Sequence, residues 1–257
     1  MSLLITAIIL TKNEEKNIER CINSIKWCNE IIVIDDSSFD KTTEIARKLD
    51  ARVYLHPLKN FSDQRNFGLS KANGEWVLFV DADEVASDAL AFEILSVIEK
   101  WTNEIGREYK GYRISRFDSI WGKQLKYGES GIKLLRLAKK GGGEWVGNVH
   151  ERWRIKGRTG ILKSPLIHYP HQSVAEFIKE INFYTDIRAQ ELYLKKVKIY
   201  WWAIIVYPLA KFVLNLFIRR GFLDGIRGLI FAIVMSFHSF LVRGKLWLLQ
   251  SKTGSHA

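Results

Sequence analysis

Residues 81–84 read Asp-Ala-Asp-Glu, three carboxylates in four positions, directly after the apolar run Trp76-Val77-Leu78-Phe79-Val80. The run has the length and residue types of a buried strand. A strand that ends in Asp-x-Asp sets negative oxygens at the mouth of an open α/β sheet, where ligands bind. Such oxygens suit hard divalent cations that hold phosphate groups, so the segment points to chemistry on a nucleoside diphosphate. Three further polar segments follow expected strands: Thr11-Lys12-Asn13-Glu14, Asp35-Asp36-Ser37-Ser38-Phe39-Asp40-Lys41-Thr42, and Asp63-Gln64-Arg65-Asn66-Phe67-Gly68. In an open parallel sheet these ends converge on one crevice. A single Asp-x-Asp is more often a solvated loop, and paired acids after a strand often only cap the next helix. The signal lies in all four segments together, in this order.

The elements that must position them alternate. Ser2–Leu10, Glu30–Ile34, Arg52–Leu55 and residues 76–80 read as strands. Between them, Ile18, Cys21, Ile22 and Ile25 recur at helical spacing, Asp40 can cap a second helix, and Ser62 opens a third that runs to Lys71. Ser87 caps a fourth, with Leu90, Ile94, Val97 and Ile98 facing inward. Alternation of this kind implies parallel pairing and an α/β fold. After residue 100 the pattern changes: residues 110–117, 121–127 and 132–137 read as strands without intervening helices, so this half is mixed or antiparallel. Gly141-Gly142-Gly143 reads as a flexible break and residues 151–163 as a hairpin turning near Gly157. Ser173 with Glu176 forms a capping box for a long helix to about Lys196.

Charge is unevenly placed over the 257 residues: −5 over residues 1–100 and +16 over residues 101–257. The basic half is the one expected to meet an anionic partner. Two apolar stretches there, 200–218 interrupted by Lys211 and 229–242 ended by Arg243 and Lys245, favour an anionic membrane surface over nucleic acid. Fourteen helical residues span about 21 Å, short of the roughly 30 Å of a bilayer's hydrocarbon. Lys211 at the centre of a span would cost about 3 kcal/mol. Two interfacial or re-entrant helices with aromatic anchors are therefore expected, against the alternative of an apolar hairpin buried within the protein or against a partner. The two cysteines, Cys21 and Cys28, make no disulfide framework and fit a reducing compartment. The first strand lacks the basic region and cleavage site of a signal peptide.

With these motifs in hand, residues 3–100 resemble the family 2 glycosyltransferases of the GT-A (Rossmann-like) fold. Asn148-Val149-His150-Glu151, the Leu166-Ile167-His168 strand end and the Gly221-Phe222-Leu223-Asp224-Gly225 turn resemble the branch of bacterial lipopolysaccharide-core β-1,4-glucosyltransferases. The resemblance implies that Thr11, Asn13 and Glu14 lie under the nucleotide and that Asp35 or Asp36 accepts from uracil N–H. It further implies that Arg65 approaches the ribose or diphosphate, that Asp81 faces the ribose, and that Asp83 ligates Mn²⁺ or Mg²⁺. Such a cation neutralises the leaving diphosphate. An acceptor hydroxyl must also lose its proton to a base. Glu151 is the candidate, with Asp118 and Glu129 in reserve; the alternative is that Glu151 only pairs with Arg152 or Arg154. His150, His168 and His171 compete for a further metal contact: His168 suits a ligand entering from a strand end, His150 an acceptor contact, and His171 a secondary one. The Gln-x-x-Arg-Trp motif of processive members is absent, which implies one sugar per encounter.

The expected whole is a mostly parallel α/β GT-A domain. Residues 1–100 hold a UDP-sugar donor and 101–197 form the acceptor side. A membrane-associating helical hairpin spans 198–250 and a flexible tail 251–257. Such an enzyme would be inverting and metal-dependent, moving a hexose, glucose from UDP-glucose foremost, onto a membrane-held glycolipid at the cytoplasmic face of the inner membrane. The lipopolysaccharide inner core is the acceptor most suggested. The nearest rival is a polyprenyl-phosphate sugar synthase, whose phosphate nucleophile needs no strong base. A sugar nucleotidyltransferase would want a Gly-rich loop after the first strand, and residues 6–17 contain no glycine. A non-catalytic membrane adaptor and a nucleic-acid binder are the remaining alternatives.

Overall fold

The computed structural model describes residues 5–103, 108–147, 151–170 and 173–252. The chain forms two compact units, residues 1–117 with 132–168, and residues 118–131 with 169–257.

The first unit opens with β1 (Ile5–Thr11), α1 (Ile18–Ser24), β2 (Glu30–Asp35), α2 (Thr42–Lys48), β3 (Arg52–Leu55), α3 (Phe61–Lys71) and β4 (Trp76–Asp81). β1 pairs in parallel with β2 and β4, and β2 with β3. Helical crossovers between strands give this parallel order, as the alternating sequence required. Then follow β5 (Glu84–Ala86), α4 (Asp88–Thr102), β6 (Tyr109–Ile120), β8 (Ile132–Lys139), β9 (Gly143–Val146), β10 (Arg152–Ile155), β11 (Arg158–Ile161) and β12 (Leu166–His168); β7 (Lys123–Gln124), between β6 and β8 in the chain, belongs to the second unit. Among the described residues the sheet runs β3-β2-β1-β4-β8-β6-β12-β5. It turns antiparallel at β4–β8 and β6–β8, the change expected after residue 100.

Alternate residues feed two cores. Trp76, Leu78 and Val80 pack with α1 and α4 through Ile18, Cys21, Leu90 and Ile94. Val77 and Phe79 pack on the other face with Ala72, Trp145 and Trp153. Both faces of β4 are covered, so the strand is apolar throughout until its end at Asp81.

Three expectations are corrected. Residues 151–163 are not a hairpin: β10 pairs antiparallel with β9, while β11 joins β6 in parallel. β-Period patterning identifies a strand but not its partner. The triglycine segment is a turn that opens β9, not a break. Gly143 pairs with Ile155, and a Cβ on it would meet Arg154 O at 1.8 Å. The strand expected over 121–127 shrinks to β7, because Lys126 N and Tyr127 N bond the Asp224 carboxylate instead of a strand.

The second unit holds α5 (Val174–Leu194), α6 (Ala203–Val213) continued by a π-helical turn (Leu214–Ile218), a 3₁₀ turn (Gly221–Asp224) and α7 (Ile226–Lys252). Ser173 Oγ accepts from Glu176 N at the start of α5, as the capping box required. α7 has 27 residues, nearly twice the apolar run from which its length was reckoned. Arg227, Arg243 and Lys245 fall inside the helix, because their charged ends bond Trp121 O, Ser239 and Asp186. Residues 226–251 are long and apolar enough to cross a membrane by length and composition.

Glu93 on α4 supplies a test of the first unit. Its carboxylate accepts from Lys163 N and Ser164 N, each at 2.8 Å. Burial opposes its ionisation, but these two bonds hold the carboxyl below the usual glutamate value. A depressed value stabilises the fold above about pH 4.3 and is lost as pH falls through the folded value. Glu93→Gln should lower stability at pH 7 by about 1 kcal/mol. The gap from the parent should close as the pH drops below 4, read as urea midpoints against pH.

Candidate active site

The loops after β1 and β2 interlock. Thr11 Oγ1 donates to Asp35 Oδ1 at 2.9 Å, and Ser38 donates its N–H and hydroxyl to the same carboxylate. Asn13 adopts φ 57°. Its N–H donates to Ser38 Oγ at 2.8 Å, and its Oδ1 accepts from Phe39 N at 3.1 Å. Glu14 N donates to Thr42 Oγ1 at 2.7 Å. Asp35 is buried with its oxygens taken up by this loop. Asp36 instead meets Lys12 at 3.2 Å and accepts from Leu58 N at 2.8 Å, and it keeps part of its surface open.

α3 carries the next group, capped by Asn60, whose Oδ1 accepts from Asp63 N. Asn66 clamps β9, giving Nδ2–H to Trp145 O and accepting from Trp145 N, both at 2.9 Å. Gly68 lets the helix lie on β1, since a Cβ there would stand 2.8 Å from Ile8. Arg65, between these anchors, is buried against the faces of Trp145 and Phe79, at 4.6 and 5.4 Å from the ring centres. Its Nη2 reaches Asp81 Oδ1 at 3.1 Å and its Nε reaches Glu151 Oε1 at 3.2 Å.

Beyond β4 the carboxylates part company. Asp81 is gripped by both terminal nitrogens of Arg136, which also donates to Glu84 Oε1 at 3.0 Å. Glu84 is fully buried, and its other oxygen accepts from Asp81 N at 2.9 Å. Arg116 lies 3.8 Å from it. Burial works against ionised Asp81, yet Arg136 and then Arg65 hold its carboxyl well below the usual range. Burial pushes the Glu84 carboxyl up, with Arg136 opposing. Asp83 stands apart from this network. β12 runs antiparallel to β5 with His168 opposite Glu84, and His168 Nε2 lies 3.0 Å from Asp83 Oδ2.

The family model for glycosyl transferase family 2 matches residues 6–142. The chain belongs to glycosyl transferase family 2. It is 29% identical to an uncharacterized glycosyltransferase of Rickettsia typhi, over 97% of this chain and 88% of that one. It is 27% identical to the lipopolysaccharide core biosynthesis glycosyltransferase LpsC of Rhizobium meliloti, over 95% of this chain and 92% of that one. Among solved structures, glucosyl-3-phosphoglycerate synthase of Mycobacterium tuberculosis, in complex with Mn²⁺, UDP and phosphoglyceric acid, is 15% identical with a TM-score of 0.47. The match covers 68% of this chain and 73% of that one.

In this family 2 enzyme, Glu151, Arg65 and Asp81 are joined by direct contacts, and Asp83 is joined to His168. Glu151 pairs with Arg65, across 86 positions, where local pairing with Arg152 or Arg154 was the alternative. His150 and His171 lie outside the described residues. The reserve candidates fall in the second unit, where Lys211 and Arg219 both bond Glu129 and Asp118 N donates to Ser130 Oγ. Arg136 escaped sequence reasoning. A lone cation inside Leu134-Leu135-Arg136-Leu137-Ala138 was the available signal, because a buried charge needs a partner.

Asp83 and His168 pass a test of fit for a divalent cation. They offer a carboxylate oxygen and an imidazole nitrogen within hydrogen-bond distance, and their side chains remain 26% and 14% exposed. Among the described residues no group of three or more His, Cys, Asp or Glu gathers to close a site. Two such residues would suit a cation whose remaining positions are filled by water and substrate phosphates.

Removing Arg136 leaves the fully buried Glu84 carboxylate beside Asp81 without its closest cation. Arg136→Met should cost about 3–5 kcal/mol of unfolding free energy, and Arg136→Lys less, measured by urea denaturation. Loss of under 1 kcal/mol in the Met variant would contradict the network's assigned weight.

Proposed function

We propose that this family 2 glycosyltransferase is an inverting, metal-dependent hexosyltransferase. Its donor is UDP-glucose and its acceptor a membrane-held glycolipid of the lipopolysaccharide inner core. The observation that carries the reading is the unbroken run of contacts Glu151–Arg65–Asp81–Arg136–Glu84, with the Asp83–His168 pair beside it. It supplies a base, buried cations and a partly open pair of metal-type ligands around one strand end. Similarity to a lipopolysaccharide-core enzyme along 95% of the chain supports the acceptor class.

Thr11, Asn13, Glu14 and Asp35 shape the nucleotide loop, and Asp36 accepts from the uracil N–H. Arg65 retains a buried Nη1–H with no protein partner among the described residues, a donor suited to a diphosphate or ribose oxygen. Asp81 positions Arg65. Asp83 and His168 hold Mn²⁺ or Mg²⁺, which when bound neutralises charge developing on the leaving diphosphate. Glu151 removes the proton from the acceptor hydroxyl as its oxygen attacks the anomeric carbon opposite the departing UDP, so the configuration inverts. UDP-sugars and free cysteines both belong to the reducing cytoplasm, which sets the reaction at the cytoplasmic face of the membrane.

A panel of UDP- and GDP-sugars with and without Mn²⁺, scored for binding and donor hydrolysis, tests the donor. UDP-glucose should respond, only with the cation, and Asp83→Ala should abolish the response while leaving the thermal midpoint of the ligand-free protein within a few degrees of the parent. Silence toward every UDP-sugar would remove the proposal. Glu151→Gln should lower kcat on the glycolipid by about 10²–10⁴-fold with UDP affinity retained. Near-parental turnover would shift the acceptor to a phosphate oxygen.

A further inference from the structure

The second unit exposes its apolar residues in ordered stripes. Along α6 and its π-helical extension, Trp202, Val206, Leu209, Val213 and Phe217 are exposed at spacings of three and four, one face of a helix. Along α7, Ile226, Ile233, Phe237, Phe240 and Leu248 are exposed at spacings of seven, four, three and eight, again close to whole helical turns. A water-facing helix surface shows the opposite pattern, and apolar exposure on this scale marks a docking surface. The two helices form an antiparallel hairpin. Ser236 Oγ donates to Pro208 O, and Gln250 Nε2 donates to Val197 O just before α6.

Charge identifies what covers these stripes. Residues 195–252 carry ten Lys and Arg against one acid, Asp224, which is buried. Lys196 and Lys198 at one end of α6, and Arg220 at the other, are exposed. A second copy would bring like charges together, whereas an anionic bilayer complements both the cations and the stripes. The other flank of α7 is taken by α5, through Phe177 and Phe231 and through Lys245 with Asp186 at 2.8 Å. α5 carries six charged residues along its 21, so α7 has a polar companion that hydrocarbon would not admit. The 16 residues 203–218 reach about 24 Å, less than the roughly 30 Å needed to cross.

We infer that the α6–α7 hairpin lies in the plane of an anionic membrane surface, its aromatic and aliphatic stripes in the headgroup–acyl boundary and α5 on the water side. The inference deepens the membrane-held acceptor reading above. Its test uses neither donor nor acceptor, so UDP binding in solution can fail or succeed independently of it.

The full chain should float with vesicles of phosphatidylcholine and phosphatidylglycerol at 7:3, and far less with phosphatidylcholine alone. Neutralising Lys196, Lys198 and Arg220 to Gln should weaken binding by about fivefold per charge. Trp201→Ser with Trp202→Ser should weaken binding to both vesicle types. Cys21 and Cys28 are buried, so Arg220→Cys serves as the reporter of orientation. An impermeant maleimide added outside sealed vesicles should label it at once. Protection until detergent is added would mean that the turn has crossed the bilayer and would overturn the in-plane arrangement. Equal indifference to both vesicle types, or a stable dimer formed without lipid, would overturn the membrane assignment.

Discussion

A guanidinium buried between two strands governs this site. Arg136 reaches from β8 to the end of β4 and binds Asp81 with both terminal nitrogens and Glu84 with one. Each buried ion loses several kcal/mol of hydration, which is offset only where geometry and remaining hydrogen bonds are good. Here they are: Asp81 also takes Arg65, and Glu84 also takes Asp81 N. The consequence is a division of partners within Asp-Ala-Asp-Glu. Two of the three acids are held by protein cations, and Asp83 is left beside His168.

The sheet prepares this contact. β4 and β8 pair antiparallel, with Leu78 opposite Leu137, so Arg136 stands next to the strand end that carries Asp81. Across β8, the register with β6 steps from Tyr112–Leu137 to Arg113–Leu135, leaving Arg136 as the extra residue of a bulge. Leu135 and Ala138, three apart, then share one core where strict alternation would separate them. A bulge beside a functional centre re-aims a side chain, and here the re-aimed side chain is the cation on which the site depends.

α3 completes the arrangement by holding Arg65 in register with the network. Asn66 fixes the helix to β9, Gly68 allows it to sit on β1, and Trp145 and Phe79 form a shelf under the guanidinium. Arg65, Asn66 and Gly68 thus have distinct physical tasks, and Arg65 Nη1 is buried without a hydrogen-bond partner among the described residues. The loop residues Thr11, Asn13 and Asp35 likewise serve each other first. Their hydrogen bonds spend most of their capacity within the loop, which leaves Asp36 rather than Asp35 with open surface.

Much of this was legible in the chain itself. Period and punctuation marked the four parallel strands and the helices between them, because burial on both faces demands apolar runs and helix starts demand caps. The acids at strand ends were legible for the same reason: a carboxylate directly after a buried run has nowhere to be but the sheet's edge. Partnership was not legible. That β10 pairs with β9, that Glu151 meets Arg65 across 86 positions, and that Arg136 lies beside Asp81 all depend on strand order and register, which local periodicity does not encode. The length of α7 was hidden similarly, since Arg227, Arg243 and Lys245 look like helix ends until tertiary partners satisfy them. The sequence alone determined which residue types stand at the ends of strands; only the tertiary structure decided which of those charges pair with one another, because pairing depends on strand order and register.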